Sequence, residues 1–305
     1  MPLNCKYNLN QHLMSNILVP YDFNRQSELA LEQAVNLARI TKSKIILLYV
    51  NEFPGFITSL FSDRQDDEML EKINDHLDSI AVRYSLRTGV DIDATMQKGR
   101  IYTTINRVAE ETASTFIVMG TRSSDSNDPE RKRMLGANTS RVIRSATCPV
   151  ITISGSTHYE GCRSILLPMD LTKETKQKVG WAIDIAKIYG AKIRAVSALW
   201  SLNDTEIITK LNIQMNQVKR FIEETGIECE AEIIESPKGE KTHVPAILEY
   251  ARSKGDVDLI VIMTQQEFSI VEFFVGSHAQ EFIRCSEIPV VSIVPKELGF
   301  VSIFS

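Results

Sequence analysis

Long apolar runs are missing from this chain. None approaches the roughly 18 residues that a membrane span requires, so no membrane association is expected. The first residues, MPLNCKYNLNQHLMSN, carry no apolar core of the kind a secretion signal needs. Cysteine is sparse and irregular: Cys5, Cys148, Cys162, Cys229 and Cys285 are odd in number and form no CxxC pair. Neither a disulfide framework nor a zinc site is therefore expected, and a reducing cytoplasm is the expected compartment. Cys148 and Cys285 sit beside apolar runs and read as buried structural thiols. Positive charge is not concentrated either. The net charge is −5, and the one basic cluster, Arg131-Lys132-Arg133, is too short to neutralise a nucleic-acid backbone.

Catalytic signatures are also lacking. The five histidines (His12, His76, His158, His243, His278) form no HxH or HxxxH pair, and there is no GxSxG or GxxxxGK[ST] motif. No enzyme activity is expected, and no resident metal. His243 precedes a helical pattern and reads as a helix-start residue, whereas His278 falls near a candidate pocket. His158 lies in a polar stretch, SGSTHYEGCR, that reads as a linker. Apolar residues at helical spacing (Met69, Leu70, Ile73, Leu77, Ile80, Ala81) read as core packing, as does IITKLNIQMNQVKRFI.

What the chain does have is itself, twice. NILVPYDFNRQSELALEQAVNLAR from Asn16 matches SILLPMDLTKETKQKVGWAIDIAK from Ser164 at an offset of 148. Pro20 aligns with Pro168 and Asp22 with Asp170. Leu31, Ala34, Val35 and Ala38 align with Val179, Ala182, Ile183 and Ala186, one face of a helix. Asn24 and Thr172 stand where N-caps belong. GANTSRVIRSATCPVITI from Gly136 aligns with GSHAQEFIRCSEIPVVSI from Gly276, at offset 140.

Each half then alternates strand and helix. Strands are expected near 17–21, 45–50, 90–96, 115–119 and 149–153, and again near 165–169, 192–198, 227–234, 258–263 and 289–294. The first and fourth of each set are continuous apolar runs, as parallel strands covered on both faces require. The fold class is α/β: two tandem, doubly wound, five-stranded parallel sheets, occupying residues 1–157 and 158–305.

Ligands in such sheets sit beyond the carboxyl ends of the strands, where strand order reverses. That points to Asp22 and Asp170 and to the glycine loops after the fourth strands. The aspartates can accept hydrogen bonds from a base or ribose, or can serve only to cap a helix. A glycine followed by a helix N-terminus can admit phosphate; loop glycines also serve turn geometry alone.

These residues resemble the universal stress protein family, in two copies spanning nearly the whole chain. The likeness rests on ILVPYD and ILLPMD, on IVMG, and on the two closing segments that run through CPV or IPV into a final strand. The resemblance implies an adenine-nucleotide α-hydrolase-like fold in each half. It also implies pairing of the halves through their final strands as an intrachain pseudo-dimer, with a further homodimer compatible. Val150-Ile151-Thr152 should then run antiparallel to Val290-Val291-Ser292.

The family's nucleotide-binding branch carries G-x2-G-x9-G-[S/T]. By this resemblance Gly120 and Gly136 are the outer glycines of half one. Ser123 replaces the middle one, twelve residues stand where nine belong, and Ala137 replaces the hydroxyl residue, with Asn138 and Thr139 next to it. In half two Met263 and Gln266 replace the first two glycines, and Gly276-Ser277 are kept. Asp22 and Asp170 match an adenine-contacting aspartate; Val50, with counterpart Ala198, matches a position whose backbone holds the base. Arg122, Arg131, Lys132 and Arg133 are available to pair with phosphate. The expectation is a non-catalytic protein of bacterial stress or energy-state response with degenerate nucleotide loops. Two alternatives stand beside it: an ATP or other adenine-nucleotide sensor using half one alone, and a scaffold recruiting a protein partner through its loops.

Overall fold

The computed structural model describes residues 15–52, 64–121, 135–155, 160–169, 175–203, 205–264 and 277–295. The first half runs β1 (Asn16–Pro20), α1 (Arg25–Thr41), β2 (Lys44–Asn51), α2 (Arg64–Thr88), β3 (Ile92–Lys98), α3 (Ile101–Glu111), β4 (Ser114–Gly120), α4 (Ala137–Ser145) and β5 (Val150–Ile153). The second repeats it as β6 (Ser164–Pro168), α5 (Thr175–Tyr189), β7 (Lys192–Leu199), α6 (Thr205–Glu223), β8 (Cys229–Glu235), α7 (Val244–Lys254), β9 (Val257–Met263), α8 (Ser277–Cys285) and β10 (Val290–Ile293). Every strand expected from the sequence is present, with ends shifted by a residue or two.

The ten strands form one sheet in the order β3-β2-β1-β4-β5-β10-β9-β6-β7-β8. All pairings within a half are parallel. The single antiparallel pairing joins the halves: Val290 faces Thr152, Val291 faces Ile151 and Ser292 faces Val150, as expected from the sequence. Thr152 Oγ1 also donates to the Val290 carbonyl at 3.2 Å, and Ser154 Oγ donates to the Ser286 carbonyl.

The run of apolar residues in β1 is explained by burial on both faces. Ile17 and Val19 point into one helical layer with α1, α2, α5 and α6; Leu18 points into the other, with α3, α4, α7 and α8. Both layers cross the seam without a break, because Ile151 and Val291 share the first and Val150 and Val290 the second. Each fully buried aliphatic side chain contributes roughly 1.5–3 kcal/mol. Asn24 caps α1 as expected, its side chain accepting from the Ser27 amide at 2.8 Å. Thr172 lies outside the described residues.

Two readings are corrected. Leu77, Ile80 and Ala81 of α2 are buried, but Met69 is 62 % exposed and Leu70 and Ile73 only half-buried, so the helix packs mainly through its carboxyl-terminal half. Among the cysteines, Cys285 is exposed at the last residue of α8, whereas Cys229 on β8 is buried, and burial pushes its thiol up to about 11. Among the described residues no helix is long and apolar enough to cross a membrane.

A part-buried ion cluster anchors the second-half end of the sheet. Arg194 on β7, 6 % exposed, reaches Asp256 through Nε at 2.9 Å and Nη2 at 2.8 Å, and also pairs with Glu230 on β8. The guanidinium holds the Asp256 carboxyl well below the usual carboxylate range. A depressed carboxyl adds stability that is complete above its unfolded value, about pH 4, and is lost as the pH falls further. Asp256→Asn should therefore cost about 1–2 kcal/mol at pH 7 in urea unfolding, since solvent screens part of the interaction, with the difference from the parent narrowing below about pH 4.

The seam generates a second prediction. A Cβ built on Gly155 would lie 2.4 Å from the Glu287 carbonyl oxygen. Gly155→Ala should lower stability by about 1–3 kcal/mol through this backbone clash between the halves, measured by the same unfolding titration.

Candidate functional site

Strand order reverses between β1 and β4 in the first half and between β6 and β9 in the second. A cleft opens at the carboxyl ends of the strands at both places, as the topology requires. Matched positions line them: Pro20 and Pro168, Tyr21 and Met169, Tyr49 and Ser197, Val50 and Ala198, Met119 and Ile262, Gly120 and Met263, Asn138 and His278.

The first-half cleft gathers Asp22, Val50, Gly120, Asn138 and Thr139 in one place, but it holds only about 80 Å³. Its expected ligand groups are already engaged with the chain. The Asp22 carboxylate accepts from Asn24 Nδ2 at 3.0 Å and from the Asn24 amide at 3.4 Å, so it braces the turn into α1. Thr139 Oγ1 is buried and reaches the carbonyls of Gly120 at 3.3 Å and Thr121 at 3.2 Å. The Gly136 amide donates to Thr121 O at 2.9 Å, which ties the start of α4 to the end of β4. A Cβ on Gly120 would stand 2.8 Å from Gln26 Cβ; the glycine is needed for the approach of α1, independent of any ligand.

Aromatic side chains take up the adjoining space. The Phe23 ring lies 5.4 Å from Tyr21, 5.4 Å from Tyr49 and 5.3 Å from His76 on α2. Phe23 holds a left-handed backbone, φ 63°, at a cost of about 1–2 kcal/mol that this ring packing offsets.

The second-half cleft is a cavity of about 560 Å³. Ser197 stands where Tyr49 fills half one, and the cavity extends onto α6 through Ile207, Lys210, Leu211 and Gln214. Ile247 of α7 and Phe282 of α8 complete the apolar wall. Lys178 is buried in the floor, its Nζ donating to the Pro168 carbonyl at 2.7 Å. His243 is the N-cap of α7, as read from the sequence, and is also part of the wall. Its Nδ1 is 2.7 Å from Ser236 Oγ and its ring centroid 4.2 Å from that of Trp200. Burial, and then the neighbouring His278, push its pKa down, so the ring is neutral at pH 7.

Sequence reading found the strand ends and His278. It missed Ser197, Ile207, Lys210, Leu211 and Gln214. The available signal was the small Ser197 opposite Tyr49 in the repeat alignment. Ser123, Asp170 and Gly276 lie outside the described residues, as do Gln266, Arg122, Arg131, Lys132 and Arg133; Ser277 opens α8, and its side chain is not among those described. Among the described residues no group of three or more His, Cys, Asp or Glu side chains is placed to hold a metal.

A family model described as the universal stress protein family matches residues 14–154 and again residues 161–293. A universal stress protein from Archaeoglobus fulgidus DSM 4304 superposes with a TM-score of 0.70 at 19 % identity, over 92 % of this chain and 97 % of its own. A functionally unknown protein from Pseudomonas aeruginosa PAO1 follows with a TM-score of 0.63 at 19 % identity, over 93 % of each chain. At that identity the structural likeness is one of fold.

The packing role of Gly120 is open to a direct check. Gly120→Ala should destabilise the chain by about 1–3 kcal/mol in urea unfolding, and the loss should shrink in a Gln26→Gly background, where the opposing Cβ is gone.

Proposed function

The chain belongs to the universal stress protein family, matched twice along its length, and from that premise we propose that it acts in a stress or energy-state response by binding a small ligand without transforming it. The observation that carries this reading is the contrast between equivalent clefts, about 80 Å³ in the first half and about 560 Å³ in the second. Small-molecule sites usually hold roughly 300–1,000 Å³, so the second half is the ligand-holding one.

The nucleotide loop of half one keeps its outer glycines while its described groups serve the fold: Gly120 admits α1, and Thr139 closes the turn. Binding without turnover is supported by the serine–histidine pair that the described residues place at the open cavity. Ser236 is 1 % exposed and does not line it, so its bond to Nδ1 fixes the orientation of the His243 ring. Among the described residues Cys148, Cys162, Cys229 and Cys285 form no disulfide, which fits a reducing cytoplasm.

A second reading has one observation in its favour. Asp22, Val50, Gly120 and Asn138 line a single cleft, as an adenine-nucleotide site in half one would need. Isothermal titration with ATP at near-millimolar concentration separates the two. The expected result is no saturable heat from the parent or from Asp22→Ala. Saturable one-site heat that Asp22→Ala removes would put the nucleotide sensor in place of the first reading.

A further inference from the structure

The cavity of the second half has a chemistry distinct from that of its first-half counterpart. Among the described residues, half one presents the Asp22 carboxylate and no basic side chain, whereas half two presents Lys210 and the imidazoles of His243 and His278 and no carboxylate. The rest of its wall is mainly aliphatic and aromatic, and the apolar surface continues outward: Trp200, Leu202 and Ile207 are exposed on the segment from the end of β7 into α6. Met263 puts a side chain at the position where close backbone approach of a phosphate chain needs glycine.

Ser197, 5 % exposed, contributes a small polar side chain to this wall. His243 is prepared for a ligand. Ser236 occupies its Nδ1, which leaves Nε2 as the nitrogen available to the cavity, and Trp200 holds the plane of the ring.

From this arrangement we infer that the second-half cavity binds a small amphipathic anion. Its apolar body packs among Ile207, Leu211, Ile247, Ile262, Met263 and Phe282, and its carboxylate or phosphate head lies by Lys210, His243 and His278. The apolar body excludes water, and in that setting charge-assisted hydrogen bonds to the head gain strength. The Ser197 hydroxyl adds an uncharged donor. A nucleotide fits this lining poorly, since it would set a highly charged phosphate chain against Met263.

The inference rests on the second half being the ligand-holding one, and the test keeps the two claims apart. The full chain carries two tryptophans, so Trp181→Phe leaves Trp200 as the only indole, beside His243. Titration of that protein with decanoate and with decyl phosphate should change Trp200 emission saturably. Decanol, with the same body and no charge, should bind about tenfold or more weakly, as should either anion to Lys210→Glu or His278→Glu. Both substituted residues are exposed, so the fold should be kept, with the thermal midpoint as the check. Ala198→Phe, which fills the cavity, should abolish binding.

Saturable binding that ignores the head-group charge and both charge reversals would overturn this inference alone. Equal or tighter binding of AMP, competitive with decanoate, would also overturn it. No saturable binding of any probe would take down the inference and the reading beneath it.

Discussion

Three residue pairs in the middle of the sheet hold the architecture together: Val150 with Ser292, Ile151 with Val291 and Thr152 with Val290. Without that seam, β5 and β10 would each present an open edge of unpaired amides and carbonyls next to an apolar face, which is a liability for any sheet. With it, both helical layers run without interruption from one half to the other, and the strands beside the seam are buried on both faces. The close approach at Gly155 and Glu287 and the bond from Ser154 to the Ser286 carbonyl follow from the same pairing. The chain thus builds internally an interface of the kind that separate subunits make.

That scaffold also fixes where function can sit. Each half reverses its strand order one strand away from the seam-forming strand, so the two clefts open at matched positions of one rigid sheet. What differs is side-chain volume at a few strand ends. Tyr21 and Tyr49 line the first cleft, braced by Phe23 beside them; Ser197 at the matched place of half two leaves room that α6 then walls. Gly120 and Met263 show the reverse trade, and there the glycine serves helix packing.

The fold was legible because two signals agreed. Ile17-Leu18-Val19 and Ile165-Leu166-Leu167 are short apolar runs of the type that parallel strands need, and the internal repeat placed their partners in register. The cleft positions were legible through the same alignment. The size of each cleft was not, since it depends on how Tyr49 and Phe23 pack and on which turns of α6 face the strand ends. Helical spacing identified Leu211 and Met215 as apolar-face residues, yet it could not distinguish Met215, buried in the core, from Leu211, which also borders the cavity. The glycine pattern carries a second meaning that the sequence did not show: the lack of a side chain at Gly120, read as admitting phosphate, is also required by the approach of Gln26.

The asymmetry between the halves follows from tandem fusion. In a dimer of identical subunits, any residue change at a strand end appears in both clefts. In one chain the two clefts change independently while the seam and the buried layers are kept. Among the described residues, one cleft has a carboxylate engaged in a turn and little free volume; the other combines imidazoles, an exposed lysine and a serine hydroxyl around an apolar hollow. Clefts that differ in volume and in described lining are free to recognise different chemistry, while both halves keep supplying a seam strand and part of each continuous core.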